Sequence, residues 1–170
     1  MEGGTVRRMA LLVVAGVTLG CASGPGGGGP PAPEMAADSA EYAPFLAAGD
    51  AAIAGRVYMR AEGGEVRYGT GNVIILDPVT TYSRRFWRVR GTALDALTAR
   101  PSDTLFMRAR QLANIAEEGR FIFEGLAPGW YYLHSKVTWE RGGFWPLQGG
   151  MVRDSVLAQS GKTVSVELTR

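Results

Sequence analysis

Hydrophobic and polar residues alternate along several short stretches after residue 50, a pattern that predicts β-strands with one buried face. The clearest case is Arg120 to Glu124, where Phe121 and Phe123 alternate with Ile122 and Glu124. Pro128 and Gly129 then indicate a turn, because proline presets one turn angle and glycine allows a positive φ. Beyond this turn, a longer strand places the following residues on one face: Tyr131, Leu133, Ser135, Val137 and Trp139. The opposite, solvent-facing side of that strand carries Tyr132, His134, Lys136 and Thr138.

Further short strands are predicted along the rest of this region. They cover Ala52–Arg60, Asn72–Leu76, Val79–Tyr82, Met107–Ile115, Val152–Ala158 and Thr163–Thr169. The composition of residues 105–118 also suits a helix, but the turn before Phe121 favours a strand that forms a hairpin with the next one. A second hairpin is predicted across Gln159–Gly161. About seven short strands with Gly and Pro between them predict an all-β, seven-stranded Greek-key sandwich.

One segment does not fit the strand pattern, and we interpret residues 83–104 as an excursion inserted between strands. Its first part places arginines around two aromatic residues: Arg84, Arg85, Phe86, Trp87, Arg88 and Arg90. Its second part, Thr92 to Ala99, has the composition of one or two helical turns before Pro101.

The N-terminus has the features of an export signal. Arg7 and Arg8 precede an apolar run from Met9 to Leu19, which is shorter than the roughly 20 residues a membrane-spanning helix needs. Gly20 and Cys21 resemble the end of a bacterial lipobox, although Thr18 stands where leucine is usual. We therefore expect a signal peptide over residues 1–20, a lipid on Cys21, a Gly/Pro-rich tether over 21–48 and a folded domain over 49–170. A plain secretory signal is the alternative.

Net charge and cysteine content bear on which classes of partner and bond to expect. The formal net charge of +2 offers no electrostatic argument for nucleic acid or for an anionic membrane surface. Cys21 is the only cysteine, so the chain can form no intramolecular disulfide. The chain is expected to contact the membrane through the acyl chains.

Two segments together resemble a known family. Residues 119–133 read Gly-Arg-Phe-Ile-Phe-Glu-Gly-Leu-Ala-Pro-Gly-Trp-Tyr-Tyr-Leu, which is similar to the signature of carboxypeptidase regulatory-like domains. Ala54-Gly55-Arg56-Val57 resembles the opening strand of those domains. The resemblance implies a prealbumin-like (transthyretin-like) sandwich over about residues 50–169 and says little about function, because one fold hosts many functions.

Candidate catalytic chemistry is sparse. His134 is the only histidine, so the zinc motif of carboxypeptidases cannot be present, and we predict no metal, no cofactor and no catalytic residue. A hydrolase that uses His134 is the weakest functional hypothesis, behind an interaction module and a glycan-binding module, because the sequence has no nucleophile-elbow motif.

The aromatic and basic residues outside the regular strands are the remaining candidates for binding. They are Arg84, Arg85, Trp87, Trp139 and Trp145, with Phe86 and Arg88 next to Trp87 and Phe144 next to Trp145. Exposed tryptophan and arginine side chains serve as platforms for sugar rings or as protein-binding hot spots, and the alternative is that these rings cap the core. We expect a non-enzymatic, lipid-anchored envelope protein that acts as an interaction or scaffolding module. The alternative is a glycan-binding module. Ala22 after the cysteine favours the outer membrane.

Overall fold

The computed structural model describes Met1 and residues 36–90, 97–98, 101–140 and 147–170. The chain divides into two compact units, Met1–Glu34 and Met35–Arg170, and the elements below all belong to the second. The predicted signal peptide, Cys21 and the first part of the tether lie outside the described residues. No helix in the described part of the chain is long and apolar enough to cross a membrane.

Two sheets form the body of the second unit. The strands are β1 (Ala51–Arg60), β2 (Val66–Tyr68), β3 (Val73–Pro78), β4 (Gln111–Asn114), β5 (Arg120–Leu126), β6 (Gly129–Trp139), β7 (Gln148–Ala158) and β8 (Thr163–Leu168). The first sheet is built around β1, which pairs antiparallel with β5, parallel with β8 and, at its C-terminal end, antiparallel with β2. The second sheet has the order β4-β3-β6-β7, and every pairing in it is antiparallel. The predicted all-β sandwich is confirmed, with eight strands in the described residues.

The space between the two sheets contains an apolar core. Phe121 and Phe123 enter it from one sheet, and Tyr131, Leu133 and Val137 enter it from the other. These are the faces that the alternating pattern predicts to be buried. The hydroxyl of Tyr131, which is the polar group of this set, donates a hydrogen bond of 2.9 Å to the carbonyl of Ala127 and so fixes the turn between β5 and β6.

The two predicted hairpins are wrong. β4 pairs with β3 and β5 pairs with β1, so the turn Glu117–Gly119 carries the chain from one sheet to the other. In the same way β7 pairs with β6 while β8 pairs with β1. A short turn joins two alternating runs in either case, but β5 and β8 both pair with β1, which lies far from them in the sequence.

A layer of short helices covers the outer face of the second sheet. It consists of α1 (Ser39–Tyr42), a 3₁₀ turn (Ala43–Leu46), α2 (Thr81–Arg90) and α3 (Thr104–Ala109). Ser39–Leu46 is helical and Tyr42 is fully buried, so the packed part of the chain begins before residue 49, in the segment we assigned to the tether. A second buried cluster fills the space under this layer, with Tyr42, Tyr82, Phe86 and Phe106 among its members.

Two predictions for this layer need correction. The strand expected over Val79–Tyr82 is wrong, because Thr81 begins α2. The strand expected over Met107–Ile115 is correct only for Gln111–Asn114, since Thr104–Ala109 is helical. The predicted turns of helix over Thr92–Ala99 fall largely outside the described residues.

Candidate functional site

Helix α2 begins at a reciprocal cap. The Thr80 hydroxyl accepts a hydrogen bond from the backbone N–H of Ser83 at 3.2 Å, and the Ser83 hydroxyl accepts one from the N–H of Thr80 at 2.8 Å. This exchange satisfies N–H groups that have no partner within the helix. Glu41 of α1 adds a carboxylate that accepts from the N–H of Thr81 at 2.7 Å. The start of α2 is therefore held by its own cap and by a hydrogen bond to α1.

The sequence of α2 separates two faces. Tyr82, Phe86 and Trp87 are buried on the side that meets the second sheet. Arg84 and Arg88 are exposed and lie one helical turn apart, which places them on the same side of the helix. Arg84 and Arg88 therefore lie on the solvent side of the helix, whereas the neighbouring Trp87 faces the sheet.

A buried ion pair ties this helix to the sheet. The Asp77 carboxylate on β3 is completely buried and accepts two hydrogen bonds of 2.8 Å from the guanidinium of Arg110, which follows α3. The indole N–H of Trp87 donates a third hydrogen bond to it at 2.9 Å. Burial raises the pKa of Asp77, whereas Arg110 and Trp87 oppose that rise because they stabilise the charged form.

His134 lies beneath α2 and is only 2% exposed. Its ring stacks on the indole of Trp87 with the ring centroids 3.6 Å apart. Burial, with the charges of Arg153 and Arg110, lowers the pKa of His134 to about 3, so the ring is neutral at pH 7. The expectation that His134 faces solvent is wrong. The side chain does point away from the sandwich core, but α2 covers it.

The Nδ1 atom of His134 is buried and has no hydrogen-bond partner in the described residues. A catalytic histidine is usually oriented by a partner on one ring nitrogen and contacts a nucleophile with the other. Among the described residues, this ring contacts the aromatic rings of Trp87 and Tyr132 instead. Among the described residues there is also no group of three or more His, Cys, Asp or Glu side chains that could hold a metal ion.

A depression opens between α2 and the strands β6 and β7, and we call it the outer groove. Its volume is about 410 Å³, and it is lined by Arg84, Trp87, Arg88, Tyr132, His134, Arg153, Asp154 and Ser155. A second depression of about 250 Å³ continues from it, because the two share Arg84, Tyr132 and Ser155. The second depression adds Trp130, whose side chain is 52% exposed, and Val79.

The outer groove combines aromatic surface with positive charge. Trp130 and Tyr132 follow one another on the same face of β6, since alternate strand residues share a face. Three guanidinium groups, those of Arg84, Arg88 and Arg153, line the groove beside one carboxylate, that of Asp154. Concave sites with aromatic walls and a few convergent polar groups are typical of small-molecule binding.

The structure separates the residues that the sequence suggested for binding. Arg84 lines the outer groove, and Trp87 forms its wall, although this ring is 5% exposed and offers little free surface. Arg85 is exposed but does not line the groove. Trp139 is half-buried against the inner core at the C-terminal end of β6 and borders a different depression. Trp145, Phe144 and Cys21 lie outside the described residues.

Sequence reasoning named Arg84 and Arg88 without placing them on a helix, and it missed other residues of the groove: Trp130, Tyr132, Arg153 and Ser155. Two signals were available. Arg84 and Arg88 have helical i, i+4 spacing, and Trp130, Tyr132 and His134 alternate along one strand face. The position of β7 beside β6, the strand that precedes it, was missed because the turn at Gln159–Gly161 favoured a hairpin between β7 and β8.

Comparison with known proteins supports the fold and gives one functional lead. The solved structure of PA1324 from Pseudomonas aeruginosa, named a "putative carbohydrate binding protein", is 27% identical to this chain with a TM-score of 0.64. The match covers 79% of this chain and 97% of the Pseudomonas protein.

A second solved structure is GBS52, the minor pilin of Streptococcus agalactiae, at 16% identity and a TM-score of 0.38. That match covers 72% of this chain and 44% of the pilin and bears on neither site nor function. No protein-family model and no curated protein matches the sequence. The resemblance to carboxypeptidase regulatory-like domains therefore stays a prediction.

Proposed function

We propose that this chain is a non-enzymatic saccharide-binding module of the bacterial cell envelope, and that the sugar binds in the outer groove. The observation that carries the proposal is the continuous surface from Trp130 through Tyr132 to Arg84, in which one exposed and one half-buried aromatic ring lie beside hydrogen-bond donors. A sugar ring presents an apolar face and a rim of hydroxyl groups. An aromatic ring can cover the first while arginine and serine side chains bind the second.

The similarity to the Pseudomonas protein supports this reading, because it extends over nearly the whole of that protein and exceeds 25% identity. This similarity favours the glycan-binding hypothesis over the hypothesis of a scaffold for another envelope protein. The scaffold hypothesis remains the alternative, and a protein partner would use the exposed Trp130 as a hot spot.

The test is binding of the purified chain to peptidoglycan and to a panel of envelope and extracellular polysaccharides, with Trp130→Ala as the probe. Trp130 is exposed, so its loss should weaken binding about tenfold or more while leaving the melting temperature nearly unchanged. Trp87→Ala is a poor probe, since that indole is buried and hydrogen-bonded to Asp77, and its removal disturbs packing.

Tyr68→Ala is the matched control. Tyr68 is also an exposed aromatic strand residue, at 40%, but it lies on β2 in the other sheet. Its removal should leave saccharide binding unchanged. Equal binding by the parent chain and Trp130→Ala, or equal loss in both variants, would contradict a site in the outer groove.

The envelope location rests on the sequence Gly20-Cys21 after the apolar run. We expect Cys21→Ser to move the protein from the membrane fraction to the soluble fraction, because no acyl chain can then be attached through sulfur. Fractionation followed by immunoblotting checks this. Retention in the membrane fraction would reject the lipid anchor without affecting the groove.

A further inference from the structure

We propose that the saccharide bound in the outer groove is acidic, and that its anionic group lies among the guanidinium groups of Arg84, Arg88 and Arg153. This inference rests on the proposed function and adds the class of sugar to it. A neutral glycan could use the aromatic surface and hydrogen-bond to the arginines, but it carries no negative charge to balance three cations in one depression.

The three arginines are available for a ligand. Each of them is exposed, and none forms an ion pair with a described residue, whereas Arg56, Arg67, Arg110 and Arg120 all do. They come from two elements, with Arg84 and Arg88 on α2 and Arg153 on β7, so the fold brings their charges together.

The single carboxylate in the lining does not neutralise them. Asp154 accepts a hydrogen bond of 2.7 Å from the backbone N–H of Ser155, and no arginine of the groove bonds to it. Three positive charges therefore face one negative charge across a concave surface, and such clefts concentrate anions. Guanidinium groups also match the geometry of carboxylate and phosphate oxygens.

The floor of the groove contains a second, independent observation. His134 lines the groove and is almost fully buried, yet its Nδ1 has no partner. Buried polar nitrogens are normally satisfied by protein, water or ligand. This nitrogen is therefore a candidate partner for a ligand oxygen that approaches between α2 and β7.

The experiment compares acidic oligosaccharides with their carboxyl-reduced forms by isothermal titration calorimetry on the full chain. The probes are oligomers of galacturonate, of mannuronate and of hyaluronan, each beside a neutral form of the same linkage, and one sulfated oligosaccharide. At least one acidic oligomer should bind about tenfold or more tighter than its reduced form, and its affinity should fall as salt rises. Arg84→Gln and Arg153→Gln should each weaken that binding by about tenfold.

Arg85→Gln is the matched control. It removes the same charge from the adjacent position of the same helix, but Arg85 does not line the groove. Its affinity should stay within about twofold of the parent, because an exposed charge away from the site is screened by salt. Preference for a sulfated over a carboxylated probe would still support an acidic ligand and would identify the anionic group.

The outcomes that overturn this inference differ from those that overturn the proposed function. Equal binding of acidic and reduced forms, or an equal effect of Arg85→Gln and Arg84→Gln, rejects the acidic ligand and leaves a saccharide site. Binding of free sulfate or phosphate as tight as that of any oligosaccharide rejects sugar recognition. The absence of binding to every probe rejects the proposed function and this inference with it.

Discussion

The sheet formed by β4, β3, β6 and β7 has a buried layer on each face, and the two layers have different chemistry. The inner layer, between the sheets, is made of aliphatic and aromatic side chains such as Leu76, Leu133 and Val137. The outer layer, under α2 and α3, mixes aromatic rings with Asp77, Arg110 and His134, all of which are buried. A single strand can serve both layers, because alternate residues of β6 face opposite sides.

The two layers depend on different properties of their side chains. The inner layer needs apolar side chains of suitable size at alternating positions, and packing of this kind tolerates swaps that conserve volume. The outer layer needs specific partners, because a buried charge without its counter-charge is costly. It also positions the Trp87 wall and the arginines of the outer groove.

Replacement of Asp77 should show the largest contrast between the layers. Asp77→Asn keeps the shape of the side chain but leaves the buried guanidinium of Arg110 without a counter-charge. We expect the free energy of unfolding to fall by about 3–5 kcal/mol, which is typical when a buried ion pair loses one partner. Chemical denaturation monitored by circular dichroism measures the change.

The control for Asp77→Asn is Leu133→Met in the inner layer. It too conserves size at a fully buried site, and it should cost less than about 1.5 kcal/mol. Equal costs for the two variants would remove the distinction between a layer specified by shape and a layer specified by charge.

His134 allows a smaller test, through pH. The folded chain keeps this ring neutral down to a pKa of about 3, whereas the unfolded chain takes up a proton near 6.5. The unfolded state therefore binds more protons between these values, so the stability contributed by His134 is complete above pH 6.5 and decreases as the pH falls through the window. The slope from this one group is about 1.4 kcal/mol per pH unit.

We expect His134→Phe to remove this part of the pH dependence while keeping a ring against Trp87. The measurement is the difference in unfolding free energy between the parent and the variant at several values between pH 7 and pH 4. Carboxylates elsewhere titrate in both proteins and cancel in that difference. A difference that does not change with pH would mean that the ring is not held neutral.

The inner layer could be predicted from the sequence, and particular residues show why. Phe121 and Phe123 on β5, and Tyr131 and Leu133 on β6, occupy alternate positions, and all four are buried as the alternation requires. This pattern is local, since the side-chain direction of a strand residue follows from its position alone.

The outer layer and the groove could not be predicted to the same extent. His134 lies on the outer face of β6, as the alternation predicts. Whether water reaches that face depends on the packing of α2, which comes from a distant part of the sequence. The same holds for the two turns predicted as hairpins, because a turn sequence shows that the chain reverses and does not show which strand it will pair with. Arg153 reaches the groove through the pairing of β7 with the preceding strand β6, whereas the sequence predicted that β7 pairs with the strand after it.

The parallel pairing of β1 with β8 determines when the first sheet can be completed. Ala52 is opposite Thr163 and Val57 is opposite Leu168. The first strand of the sandwich along the chain, β1, therefore completes its pairing only when the last strand, β8, is available. Until the C-terminal residues are available, one edge of β1 has free backbone donors and acceptors, and closing so long a stretch of chain is slow. A ribosome-bound or truncated chain that lacks the last ten residues would therefore hold an unfinished sheet, even with every other strand present.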